Sequence, residues 1–375
     1  MRSNKNTTLR RLLFVGQFPP PIHGVSVLNN YLLQSKIIRA EFTIDFIDLK
    51  FGRTIKELEK FSIKKLIIAV RYIFVIIYKT CMVRYSIVYF TLTPTGFGFY
   101  RDALYVLIMK FFSSKIVLHL HGKGIQNNID NIIKRKLYRH VLKDTSIICL
   151  SERLIFDLDN VYFGKPFIVP NGIEIQKDAG LKKTALIQGI PRILFVSNFI
   201  KNKGVLVLLD ALTILKDRGY DFEARFVGAP SNITIEMLEN EIEERGMKGH
   251  VTVVGPLYSE LKFKEFKNAD IFVFPTYNDA FGLVNLEAMQ YGLPVISTFE
   301  GSIPDVVINE VTGYLVEKED ISMLAEKIEI LIKDEALRLE MGSKGYERCR
   351  GHFALENFEA NMERTFKMIL SNKAI

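Results

Sequence analysis

The sequence predicts an α/β fold made of two Rossmann-like doubly wound domains that face each other across a cleft. Three observations predict it. Short β-branched runs alternate with longer helical patterns, as in βαβ units with parallel strands. The alternation stops at a polar, Lys- and Gly-containing stretch, Glu174–Gly189, and then restarts, so this stretch reads as a linker. The chain has 375 residues, 48% hydrophobic and 25% charged, enough to bury two cores without staples. The domains are set at 1–175 and 190–354, with a last helix near 355–375 packing back on the first.

The elements follow in order. A strand at Leu12–Gly16 leads to a helical pattern near Val25–Arg39 and a strand at Phe42–Asp48. After a very apolar helix at Ile63–Tyr78 come strands at Ile87–Thr91, Lys115–Leu120, Ser146–Leu150 and Phe167–Val169. Helices at Gly98–Phe112 and Asn127–Lys143 separate them. Beyond the linker, strands are expected at Arg192–Ser197, Phe222–Val227, Val251–Val254, Ile271–Phe274, Pro294–Ser297 and Gly313–Val316. Helical patterns at Ile321–Ile332, Glu335–Arg348 and Leu355–Leu370 finish the chain.

Composition excludes several classes. Cys81, Cys149 and Cys349 lie far apart and form no CxxC pair, which speaks against a disulfide framework or a Cys-rich zinc site and for a reducing compartment. The apolar run Leu12–Val15 is too short for a signal-peptide core and ends at Pro19-Pro20-Pro21. The longest apolar segment is interrupted by Arg71, so no spanning helix is expected. The expected location is cytoplasmic, with the inner face of the plasma membrane as the alternative setting. Net charge is +8, and Lys64, Lys65, Arg71 and Lys79 fall on one side of the apolar helix. That stripe reads either as the solvated face of a core helix or as a contact with anionic lipid headgroups. No helix-turn-helix or aromatic-interleaved basic pattern suggests nucleic acid.

Ligands of open α/β sheets bind beyond the carboxyl ends of the strands, so the residues after each strand matter most. After the first strand, a Pro-rich loop runs to His23 and Gly24 at a helix start. After Lys115–Leu120 stands His121, with His119 on the same strand face and glycines behind. A metal pair finds no third ligand nearby. After the strand ending at Ser197 come Asn198 and then Lys203-Gly204 at the next helix start, where a cation joins free amides and the helix dipole in an anion site. Neither GxxxxGK[ST] nor GxGxxG is present, which excludes a P-loop and disfavours a dinucleotide dehydrogenase. Finally, Asp279 lies in a loop and Glu287 eight residues on, two turns into the helix that the loop opens. Between them the amides of Phe281, Gly282 and Leu283 are first-turn donors. Carboxylates, amides and a Lys suit a phosphorylated, polyhydroxylated ligand.

In this order, these motifs, with Pro170-Asn171-Gly172 and Gly301-Ser302-Ile303-Pro304-Asp305, resemble the family 4 glycosyltransferases. The resemblance implies the GT-B fold and transfer, with retention, of a sugar from a nucleotide diphosphate sugar. A UDP-sugar is favoured as donor by the resemblance, and the basic stripe near Lys64–Lys79 suggests a glycan or lipid-linked glycan of bacterial surface polysaccharide synthesis as acceptor. The resemblance implies no cofactor and no obligatory metal. His121 would contact the transferred sugar and Lys203 would neutralise the diphosphate. Asp279 would contact sugar hydroxyls and Glu287 would hold the ribose. The loop with His23 and Gly24 would meet donor phosphate and acceptor, Gly282 and Leu283 would offer amides, and Leu257 would wall the base. Two departures stand out: Asn198 occupies a region where many members carry Arg, and Asp279 replaces a Glu. A nucleotide-sugar epimerase of similar fold and a non-catalytic nucleotide-sugar-binding protein are the alternatives.

Overall fold

The computed structural model describes residues 9–52, 62–113, 115–180 and 189–371. The basic start of the chain and part of the linker, 181–188, lie outside the described residues. The chain divides into two units. The first comprises the residues up to Gly172 together with those from Leu355 onward, and the second runs from Ile173 to Ala354.

In the first unit, strands β1 (Arg10–Gly16), β2 (Phe42–Asp48), β3 (Ile87–Leu92), β4 (Ile116–Leu120), β5 (Ser146–Cys149) and β6 (Phe167–Ile168) form one parallel sheet in the order β2-β1-β3-β4-β5-β6. The central strands are buried along almost their whole length, as strands covered on both faces must be. Between β1 and β2 the expected single helix is two, α1 (Gly24–Gln34) and α2 (Lys36–Glu41). The break is chemical: the Ser35 hydroxyl accepts from the Ile38 amide and starts a new helix. Helices α3 (Ile63–Met82), α4 (Gly96–Phe112) and α5 (Ile132–Leu142) connect β2, β3, β4 and β5 in one direction across the sheet. Right-handed crossovers therefore place all three on one face.

The second sheet is also parallel. It holds β7 (Arg192–Val196), β8 (Glu223–Val227), β9 (Val251–Gly255), β10 (Ile271–Val273), β11 (Val295–Thr298) and β12 (Gly313–Val316), in the order β12-β11-β10-β7-β8-β9. The strand order reverses next to β7, the topological switch where such sheets bind ligands. Helices α6 (Val205–Asp217), α7 (Ile235–Glu244), α8 (Ser259–Asn268), α9 (Leu283–Met289), α10 (Ile303–Val306), α11 (Ile321–Lys333) and α12 (Glu335–His352) complete this unit. The last helix, α13 (Leu355–Leu370), belongs to the first unit. Its Phe366 packs edge-on against Phe42 and Tyr89, and Lys367 pairs with Glu41 at 3.0 Å. Among the described residues no helix is long and apolar enough to cross a membrane.

Candidate functional site

In the second unit, Lys203 lies in a 3-10 turn, Lys201–Lys203, between β7 and α6. Gly204 closes that turn with φ +83°, and a Cβ there would stand 2.1 Å from the Pro275 carbonyl oxygen. Only glycine lets the turn approach the β10 loop so closely. That approach brings Lys203 Nζ to Asp279, donating to Oδ2 at 2.7 Å and to the Asn278 carbonyl at 2.9 Å. An ammonium has three protons, and these bonds use two of them.

Asp279 is fully engaged. Its Oδ1 accepts from the amides of Phe281 at 3.0 Å and Gly282 at 2.8 Å, while its own amide donates to Glu300 Oε1 at 3.2 Å. The two amides expected to face a ligand are thus spent on Asp279, because its short side chain folds back over the turn in the manner of an Asx cap. Of the three, the Leu283 amide, at the first position of α9, remains outside this turn. Gly282 caps α9 at φ +70°, and a Cβ there would meet Asn285 Nδ2 at 2.7 Å. Helix α9 has only seven residues, which places Glu287 little more than one turn in rather than two. Glu287 does not join Lys203: its Oε1 accepts from Lys262 Nζ of α8 at 2.8 Å.

Four further residues shape this cluster, and sequence reasoning missed them as site residues. Glu300, only 1% exposed, ties the Asp279 amide and pairs with Lys318. Lys262 holds Glu287. Asn285 and Ser302 are buried, and neither the Asn285 amide group nor the Ser302 hydroxyl has a hydrogen-bond partner. Such buried polar groups cluster where a ligand or an ordered water completes them. The Gly301-Ser302 motif was the available signal for Ser302, since the Ser302 amide bonds the Ala280 carbonyl at 2.9 Å. Leu257 lines a separate open pocket of about 400 Å³ with Arg192, Arg225, Leu261 and Lys264. Asn198 is half-buried at the end of β7, and its carbonyl accepts from the Ile200 amide at 2.7 Å.

The first unit carries a different arrangement. His121 follows β4 and lines a cavity of about 200 Å³ with Gln17, His23, Thr91, Thr93 and Arg101, among others. Neither of its ring nitrogens is hydrogen-bonded. Burial lowers its pKa to about 3, with Asn171 opposing the shift and His23 adding to it. The imidazole is therefore neutral at pH 7. Its ring lies 3.9 Å from that of His119, which is itself buried, driven well below the usual histidine range by burial, and bonded through Nδ1 to the Tyr89 hydroxyl at 2.7 Å. His23 caps α1: Nδ1 accepts from the Ser26 amide at 3.3 Å, and Nε2 bonds Gln17 Oε1 at 3.1 Å. Gly24 opens that helix. Arg101 is held by the buried Asp102 at 2.7 Å. Among the described residues no group of three His, Cys, Asp or Glu could hold a metal ion.

Comparison with known proteins narrows the reading. Residues 176–348 match the family described as glycosyl transferases group 1. The chain is 31% identical over 181 residues to the capsular polysaccharide biosynthesis glycosyltransferase CapM of Staphylococcus aureus, covering 47% of this chain and 46% of that one. It is 32% identical over 216 residues to the D-inositol 3-phosphate glycosyltransferase of Corynebacterium jeikeium, covering 54% and 50%. The chain thus spans about half the length of these two relatives. Among solved structures it is similar to a glycosyltransferase from Rickettsia africae, with TM-score 0.76, 19% identity, and 98% and 100% of the two chains covered. It is also similar to Anabaena Alr3699/HepE in complex with UDP, with TM-score 0.72, 17% identity, and 95% and 99% covered. The chain therefore has the GT-B fold of two Rossmann-like domains, and its second unit carries the group 1 glycosyl transferase signature.

Proposed function

We propose that the chain is a retaining glycosyltransferase of family 4 type. It moves a sugar from a nucleotide diphosphate sugar, preferentially a UDP-sugar, to a glycan or lipid-linked glycan acceptor at the cytoplasmic side of a membrane. The observation that carries the reading is the Lys203–Asp279 pair at the switch point of the second sheet, inside the segment that matches the family. The UDP named in the similar Anabaena structure supports a uridine donor.

The chemistry follows from the residues. Breaking a glycosyl–phosphate bond builds negative charge on the departing diphosphate. Lys203, with one proton uncommitted, offers a fixed cation to that charge, and the Leu283 amide adds a dipole. Asp279 is a positioning residue in this reading: it holds Lys203 and shapes the turn, and its carboxylate is already engaged there instead of being open to sugar hydroxyls. Glu287, held by Lys262, keeps one oxygen for a ribose hydroxyl. His121, neutral and unpaired, can donate to or accept from a sugar hydroxyl without introducing a charge. No step in this scheme requires a metal.

The test is donor-dependent release of nucleotide diphosphate in the presence of a glycan acceptor. The wild-type chain releases it, and Lys203→Ala lowers the rate about 100-fold. Equal rates would reject the assignment.

A further inference from the structure

Helices α3, α4 and α5 form one layer over the first sheet, with α3 packed on α4 and α4 on α5. Their outward faces are unusually apolar. On α3, Ile63, Ile67, Val70, Phe74 and Tyr78 recur at helical spacing and are all exposed. On α4 the same holds for Phe97, Tyr100, Leu104 and Phe111, with Ile132 and Ile133 at the start of α5. Phe74 is 68% exposed, Phe97 81% and Phe111 84%, against only Ile76 and Thr80 buried on the whole of α3. Burying aromatic area is worth far more than leaving it in water, so such a patch marks a surface with an occupant.

Charge identifies the occupant. The three helices carry ten Lys and Arg and a single acid, Asp102, which is buried. That surplus exceeds the net charge of +8 for the whole chain, so the remainder is slightly acidic. On α3, Lys64, Arg71 and Lys79 border the apolar stripe on one side. Apolar side chains in the middle and cations at the border match an anionic bilayer: hydrocarbon below, phosphate at the headgroup level.

We infer that this three-helix face is a monotopic membrane anchor, in which Ile67, Phe74 and Phe111 enter the acyl boundary and Lys64, Arg71 and Lys79 contact anionic headgroups. The inference deepens the acceptor part of the reading above, since an anchored first unit meets a lipid-linked acceptor in the membrane plane. It rests on the surface of the first unit alone.

The experiment is co-sedimentation of the full chain with vesicles of phosphatidylglycerol and phosphatidylethanolamine, at low salt and at about 1 M NaCl, where charges are screened within about 3 Å. Wild type pellets in both conditions. The triple variant Ile67→Ser, Phe74→Ser, Phe111→Ser pellets at low salt and is released at high salt, with at least tenfold weaker partitioning. The variant Lys64→Gln, Arg71→Gln, Lys79→Gln loses its preference for anionic over phosphatidylcholine vesicles. Should the triple serine variant melt below wild type, Phe111→Ser alone replaces it and shows a smaller loss in the same direction. The proposal is overturned if wild type stays in the supernatant or is fully released by salt. It is also overturned if the serine variant is retained like wild type, or if wild type is a dimer that these substitutions dissociate. Lys203→Ala, which tests the catalytic reading, pellets like wild type, so the two failures are distinguishable.

Discussion

The two units place their polar side chains in opposite ways. Around Lys203 the cluster is built from ion pairs: Asp279 on Lys203, Lys262 on Glu287, Lys318 on Glu300. Around His121 there is no ion pair to the ring, two nitrogens without partners, and a second imidazole tilted against it. The first arrangement is an electrostatic frame of charged groups held by ion pairs and backbone amides. The second is a desolvated pocket whose two imidazoles are neutral, with the paired Arg101 in its lining. Under the proposed glycosyl transfer, a departing diphosphate would suit the frame and an uncharged sugar hydroxyl the pocket.

The largest effect that would sharpen this contrast is the loss at Lys203. Lys203→Ala removes a cation that keeps one proton for the diphosphate, and turnover falls about 100-fold. In steady-state assays on the same donor, His121→Ala costs about tenfold in kcat, the worth of one hydrogen bond to the sugar. Its effect on affinity for free nucleotide diphosphate stays within about twofold if the pocket serves the sugar. An equal loss of nucleotide affinity in both variants would break the division between the units.

Asp279→Asn keeps an oxygen for the Phe281 and Gly282 amides but drops the charge that holds Lys203. We expect turnover to fall about tenfold with little change in melting temperature, whereas Asp279→Ala also loses the two turn hydrogen bonds, worth about 1 kcal/mol each. If Asn and Ala variants behave alike in both measurements, Asp279 is not acting through Lys203. Lys262→Met leaves Glu287 without its partner and raises KM for the donor by about threefold, a modest effect because the pair is partly solvated.

The smallest effect concerns pH. His119 and His121 are held neutral by burial, so the unfolded chain binds protons at these sites that the folded chain refuses. Their contribution to stability is therefore complete above the unfolded pKa, near pH 6.5, and falls away below it, for His121 as pH drops toward about 3. Melting temperature followed from pH 7 to pH 4 should decline less steeply in His121→Asn than in wild type. Parallel slopes would show that the imidazole is not held neutral.

Much of the fold was legible because parallel strands buried on both faces read as short apolar runs, and both sheets follow those runs. The link from Lys203 to the Asp279 loop was legible from their positions after β7 and β10, adjacent strands in the second sheet. The details that escaped are long-range or conformational. Glu300 reaches Asp279 across 21 residues, and nothing in its local sequence marks it. The Asp279 side chain folding over its own turn decides whether two amides are open, and spacing alone does not show that. Ser35 splits a helix whose apolar pattern continues on either side. On α3, apolar residues surround most of the circumference, so periodicity could not tell the face against the sheet from the face left to the exterior.

The measurement that bears most directly on the central claim is a calorimetric titration of UDP into wild type and into Lys203→Ala. The account predicts saturable binding by wild type and at least tenfold weaker binding by the variant, with the folded state unchanged. Binding of equal strength in the two proteins would show that Lys203 does not meet a diphosphate and would contradict the account.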